Sequence, residues 1–127
     1  MNLSPLALDP VARSTRPWGV FDLFVANHHC TVKIITIRPG HRMSLQRHLR
    51  RDEAWHVIDG RLNVLHGTKE WTAETGDAVW IPRGTAYRMG NSGPTPTRVL
   101  EIASGALDED DIEVLDDDNR HHSTGTT

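Results

Sequence analysis

The stretch GHRMSLQRHLRRDEAWHVIDG, residues 40–60, decides how this chain is read. Pro39-Gly40 opens it with a turn signal, and Asp59-Gly60, a favoured hairpin turn, closes it. Between the turns, Ser44 to Arg50 reads as one short strand and Glu53 to Ile58 as the next. Alternation along a strand puts Gln46 and His48 on one face, with Arg42, Ser44 and Arg50 in the same parity. On the second strand Glu53, Trp55 and Val57 share a face. That face is apolar, so Glu53 is expected to point inward. A lone buried carboxylate is costly, and a metal ion or an arginine beside it would remove the cost.

Outward from this block the same grammar continues. Cys30 to Arg38 is a β-branched run that ends at Pro39-Gly40. Upstream, Arg16-Pro17-Trp18-Gly19 reads as a turn with an aromatic anchor, and Val20 to Val25 as the first strand. Downstream, strands are predicted over Arg61 to His66, from Trp71, over Ala78 to Ile81, Tyr87 to Met89 and Arg98 to Ala103. Turn signals recur about every ten residues, the spacing of an all-β sandwich or closed barrel. A helical period is hinted at only over Asp110 to Leu115. Residues 1–15 read as an arm, 16–115 as the barrel and 116–127 as a disordered tail that holds His121 and His122.

The 127 residues suit one domain. No apolar run approaches the ~20 residues a membrane helix needs, the N-terminus lacks signal-peptide grammar, and the single Cys30 allows no internal disulfide. A cytoplasmic protein without a membrane partner is expected. Net charge is −3, which disfavours nucleic acid as a partner. Yet Arg38, Arg42, Arg47, Arg50 and Arg51 crowd together, a local charge that suits a small anion.

Two spaced blocks carry a further signal. The first is Gly40, Gln46, His48, Glu53 and Gly60; the second is Gly76, Pro82, Gly84, Tyr87 and Asn91. Together they resemble the paired motifs of the cupin superfamily, a double-stranded β-helix or jelly-roll barrel. Within it, Arg16-Pro17-Trp18-Gly19, Val32-Lys33, Ser44-Leu45-Gln46, His48, Arg51, Glu53, Trp55, Ile81-Pro82, Gly84, Asn91, Gly93 and Glu109 to Ile112 occur in order. That series resembles the type II mannose-6-phosphate isomerase domain, usually the C-terminal part of a bifunctional enzyme with a mannose-1-phosphate guanylyltransferase. The resemblance covers about Arg16 to Arg120 and does not include the nucleotidyltransferase half.

The resemblance implies interconversion of mannose 6-phosphate and fructose 6-phosphate through an enediol, with a divalent metal (zinc, manganese or iron) polarising the oxygens. It implies Gln46, His48 and Glu53 as three metal ligands. The fourth family position, a His, is Tyr87 here, and the family's His after the Glu is Ala54. Three outcomes stay open: metal on three residues plus water, Tyr87 bound as phenolate, or a pocket that has lost its metal. Lys33, Arg51 and Arg88 are candidates for catalysis or phosphate contact, with a surface ion pair to the acidic C-terminal segment as the alternative for Arg88. Ser44, Arg50 and Trp55 are candidates for substrate contact, Trp55 as a stacking surface at the pocket mouth. Parity alone does not say whether Lys33 faces in or out. His56 falls on the face opposite Trp55. His28, His29 and Cys30 are read as loop residues and not as a metal cluster. Trp18, Trp55, Trp71 and Trp80 are core candidates. Barrels of this type commonly pair, so a homodimer is expected.

Overall fold

The computed structural model describes residues 10, 12–25, 30–105 and 111–116. Its strands are β1 (Ala12–Arg16), β2 (Gly19–Val25), β3 (Cys30–Ile37), β4 (His41–Arg42), β5 (Leu45–His48), β6 (Arg51–Asp59), β7 (Leu62–His66), β8 (Lys69–Ala73), β9 (Ala78–Ile81), β10 (Tyr87–Asn91), β11 (Thr97–Gly105) and β12 (Ile112–Asp116). They form two antiparallel sheets. One runs β1-β2-β3-β11-β6-β9, the other β12-β5-β10-β7-β8 with β4 also paired to β10.

The period-two pattern explains why the sheets close on each other. Arg51, Glu53, Trp55 and Val57 of β6 are buried, as are Val99, Glu101 and Ala103 of β11. Their alternate neighbours are more exposed. Trp18, Ile35, Ile37, Met43, Trp55, Leu62, Val64, Ile81, Met89 and Val99 are among the apolar residues that fill the space between the sheets. Each large apolar side chain removed from water in this way contributes about 1.5–3 kcal/mol.

Corners of the barrel are made by the turn residues of the two blocks. The Gly40 N–H donates to the Asn91 carbonyl at 2.7 Å, which ties the first block to the second. The Asn91 side chain donates to the carbonyls of Ile37 and Thr95 and accepts from the Gly93 N–H. The Gly84 N–H donates to the His48 carbonyl at 2.6 Å, so the second block also braces the strand that carries His48. At Gly19 a Cβ would stand 1.8 Å from the Thr36 carbonyl oxygen, so only glycine admits this approach of β2 to β3.

Several expectations are corrected. Ala12 to Thr15, placed in the arm, and Arg16, read as the start of a turn, form a strand paired with β2, so the first strand starts earlier than Val20. Ile112–Asp116 is a strand and not a helix, because the free edge of β5 supplies its backbone partners. Cys30 is the first residue of β3, opposite Ser104, and not a loop residue. Trp71 and Trp80 are 40% and 56% exposed, on the outward phase of β8 and β9, and are not core. Residues 1–9, His28, His29 and the tail from 117 onward lie outside the described residues. Among the described residues no helix is long and apolar enough to cross a membrane.

Candidate functional site

The barrel encloses a polar cluster with Glu53 at its centre. Glu53 is 1% exposed. Its Oε1 accepts the Trp55 Nε1–H at 3.0 Å, and its Oε2 accepts the Arg51 Nε–H at 3.1 Å. The Tyr87 hydroxyl stands 3.4 Å from Glu53 Oε2 and 3.3 Å from Gln46 Oε1, so its one proton serves one of them at a time. The Gln46 amide donates to Ser44 Oγ at 3.0 Å. Tyr87 also meets Trp55 edge-on at 5.2 Å and lies along the His48 ring at 5.7 Å.

His48 is held from behind. Its Nδ1 lies 2.9 Å from the Asp111 carbonyl, which can only accept, so Nδ1 carries the hydrogen and Nε2 is bare. The Asp111 carboxylate accepts the Leu49 and Arg50 N–H groups, each at 2.9 Å, and so fixes the corner beside His48. Nε2 then accepts from Arg51 Nη2 at 2.8 Å. Burial, and next the Arg51 charge, push His48 below its ordinary range and favour the neutral ring. Its 3.6 Å approach to Glu53 Oε2 is therefore not an ion pair. Burial opposes the charge on Arg51, but Glu53 and Glu101 outweigh it and keep the guanidinium ionised.

Glu101 is the member that sequence reasoning missed. It is 4% exposed and stands opposite Lys33 on one side and Trp55 on the other, on the same inward phase as Glu53. Burial, then the neighbouring Glu53 charge, raise it well above the usual carboxylate range. That shift favours the protonated form of Glu101. The available signal was its phase: Val99, Glu101 and Ala103 occupy alternate positions in an apolar strand. Lys33 shares the phase of buried Thr31, Ile35 and Ile37, which settles its inward side. Its Nζ lies 4.5 Å from the Phe21 ring centroid.

Other candidates are not brought here. Arg88 alternates with the buried Tyr87 and Met89, so it leaves the barrel and ion-pairs loosely with Asp116 at 3.8 Å. It also lines an outer groove of about 640 Å³ with Arg42, Asn63 and Trp71. Arg50 is exposed at the turn between β5 and β6, because the strand pattern ends at His48. Trp55 is wholly buried and braces Glu53, so it offers no stacking surface at a pocket mouth. His56 is exposed.

The four positions assigned by resemblance to a metal, Gln46, His48, Glu53 and Tyr87, do meet. As placed, they do not fit a metal ion. The two strongest donors, His48 Nε2 and Glu53 Oε2, both face the Arg51 guanidinium. Tyr87 is a poor ligand unless ionised, and burial, then the Glu53 charge, raise it well above its ordinary value. Among the described residues no group of three or more His, Cys, Asp or Glu side chains is placed to hold a metal.

A closed double-stranded β-helix with a polar cluster between its sheets defines a cupin. Known proteins agree. A double-stranded β-helix protein from Klebsiella pneumoniae superposes with a TM-score of 0.71 at 17% identity, covering 83% of this chain and 85% of that one. A cupin-superfamily sugar phosphate isomerase from Silicibacter pomeroyi gives 0.56 at 24%, covering 61% and 51%. Residues 8–117 match the model of the mannose-6-phosphate isomerase C-terminal family, and the chain belongs to that family. It is 39% identical over 103 residues to the alginate biosynthesis protein AlgA of Pseudomonas aeruginosa, covering 80% of this chain and 21% of that protein. It is 37% identical over 103 residues to the xanthan biosynthesis protein XanB of Xanthomonas campestris, covering 80% and 22%. The chain thus spans about a fifth of the length of these relatives.

Proposed function

We propose that this domain binds a phosphorylated sugar in the barrel and interconverts its aldose and ketose forms. The observation that carries the reading is the buried Glu53–Glu101 carboxyl pair flanked by Lys33 and Arg51, in a chain of the mannose-6-phosphate isomerase C-terminal family. Isomerisation moves a proton between C1 and C2, and an enediol lies between. A carboxyl pair that holds one proton can give and take it, and Glu101 is the member assigned to that exchange. Ammonium and guanidinium groups next to it would balance charge on the enediol oxygens. Gln46, Ser44 and Lys33, half-buried members of the cluster, are assigned to the sugar hydroxyls. Arg50, exposed at the turn between β5 and β6 and outside the cluster, is assigned to the phosphate.

A coupled assay that follows fructose 6-phosphate from mannose 6-phosphate tests this. Turnover lost in Glu101→Gln supports it, and no turnover by the wild-type protein with or without divalent metals sinks it. A second reading, a sugar-binding cupin without catalysis, is favoured by Tyr87 at the fourth position. Calorimetric binding of mannose 6-phosphate without turnover would select it. A homodimer in the cytoplasm belongs to the same proposal. Leu49, Trp80, Ile112 and Leu115 are exposed apolar residues that pairing could cover, and light scattering decides the oligomer.

A further inference from the structure

We infer that the Arg51 guanidinium stands in for the divalent cation of this barrel, so that the chain excludes metal from the Gln46, His48, Glu53 and Tyr87 constellation. The claim concerns the cation alone and holds whether or not the isomerase assay succeeds.

The geometry supports it at each donor. A metal would need the bare Nε2 of His48, and Arg51 Nη2 already donates to it at 2.8 Å. It would need Glu53 Oε2, which accepts the Arg51 Nε–H at 3.1 Å. The other carboxylate oxygen is engaged by Trp55 at 3.0 Å. One planar cation with a fixed fork of donors therefore satisfies the imidazole and the carboxylate together, as a metal would, but with hydrogen bonds. Arg51 is 6% exposed, and both partners are buried, so the guanidinium cannot swing into water without leaving a buried carboxylate unpaired. Chain connectivity explains the position. Arg51 and Glu53 are two apart on β6, so both enter the barrel on one face, and the short turn after β5 brings His48 alongside.

The test is metal binding by protein stripped with chelator and purified without a tag. Zinc and cobalt(II) titrations of the wild type are expected to show no cobalt ligand-field band and no zinc heat that His48→Ala removes. Tyr87→His, which restores an imidazole at the fourth ligand position but leaves Arg51 in place, is expected to stay metal-free. Arg51→Ala is expected to gain metal affinity by about tenfold or more, and Arg51→Ala with His48→Ala to lose that gain. Circular dichroism establishes that each variant is folded. About one metal per wild-type chain, lost on His48→Ala, would overturn the inference. So would metal binding by Tyr87→His, or a folded Arg51→Ala that binds no better than the wild type. If Arg51→Ala does not fold, the wild-type and Tyr87→His titrations still decide.

Discussion

Lys33 and Glu101 stand directly opposite each other on β3 and β11, and both side chains enter the barrel. This pairing brings an inward-facing cation to a buried carboxyl, and it links chain segments that no local motif connects. The Lys33 charge works to lower the Glu101 carboxyl, yet burial and Glu53 prevail and leave it raised.

That shift makes stability depend on pH with a definite sign. A carboxyl raised in the folded state contributes stability that is fully present below its unfolded value near 4.5 and is lost as pH rises through the folded value. Between the two, the native state holds the extra proton. Glu101→Gln, which imitates the protonated form, is expected to match the wild type in acid and to exceed it increasingly as pH rises. Urea unfolding of both proteins between about pH 5 and pH 8 reads this out. A constant difference across that range would contradict it.

Glu53 accepts from Arg51 and Trp55 at once, so its removal leaves a buried guanidinium without its counter-charge. Glu53→Ala is expected to cost about 3–5 kcal/mol in chemical unfolding. Glu53→Gln keeps the shape and should cost less. Equal stability of Glu53→Ala and wild type would mean that the cluster contributes nothing to the fold.

Asp111 closes the corner beside His48 through its carboxylate and its carbonyl. Asp111→Ala leaves two N–H groups without their acceptor and is expected to lose about 1–3 kcal/mol in urea unfolding. The backbone carbonyl that holds His48 Nδ1 stays in this variant, so the His48 ring is expected to keep its orientation, read from its imidazole signals in NMR.

Gly19 has no room for a side chain against the Thr36 carbonyl. Gly19→Ala must push β2 off β3 and is expected to cost on the order of 3 kcal/mol or more, a large share of a small domain's stability. A melting temperature within a degree or so of wild type would count against the close approach.

Lys33 is half-buried and its loss should be tolerated structurally. Lys33→Met is expected to lower kcat for mannose 6-phosphate about a hundredfold with a small change in melting temperature. Unchanged kcat would remove Lys33 from the reaction.

Much of the fold was legible because turns and alternation are local. Pro39-Gly40 and Asp59-Gly60 bound the decisive strands, and the phase of Trp55 and Val57 points Glu53 inward, as the structure has it. Local grammar failed at Ile112–Asp116, where a short segment takes its form from the edge it meets. It failed at Trp71 and Trp80, whose bulk suggests core but whose phase faces water. Arg88 takes the outward phase because its neighbour Tyr87 takes the inward one, and it meets the acidic C-terminal segment at Asp116, the alternative the sequence offered for it.

By itself the sequence determined the all-β architecture and the inward phase of Glu53, because both follow from spacing along the chain, and its ordered motifs carried the resemblance to the family. Only the tertiary structure decided which cation faces that carboxylate, and that Glu101 and Lys33 join it. Those facts depend on the register between strands distant in sequence, and a one-residue slip would turn Glu101 to the other face of its sheet.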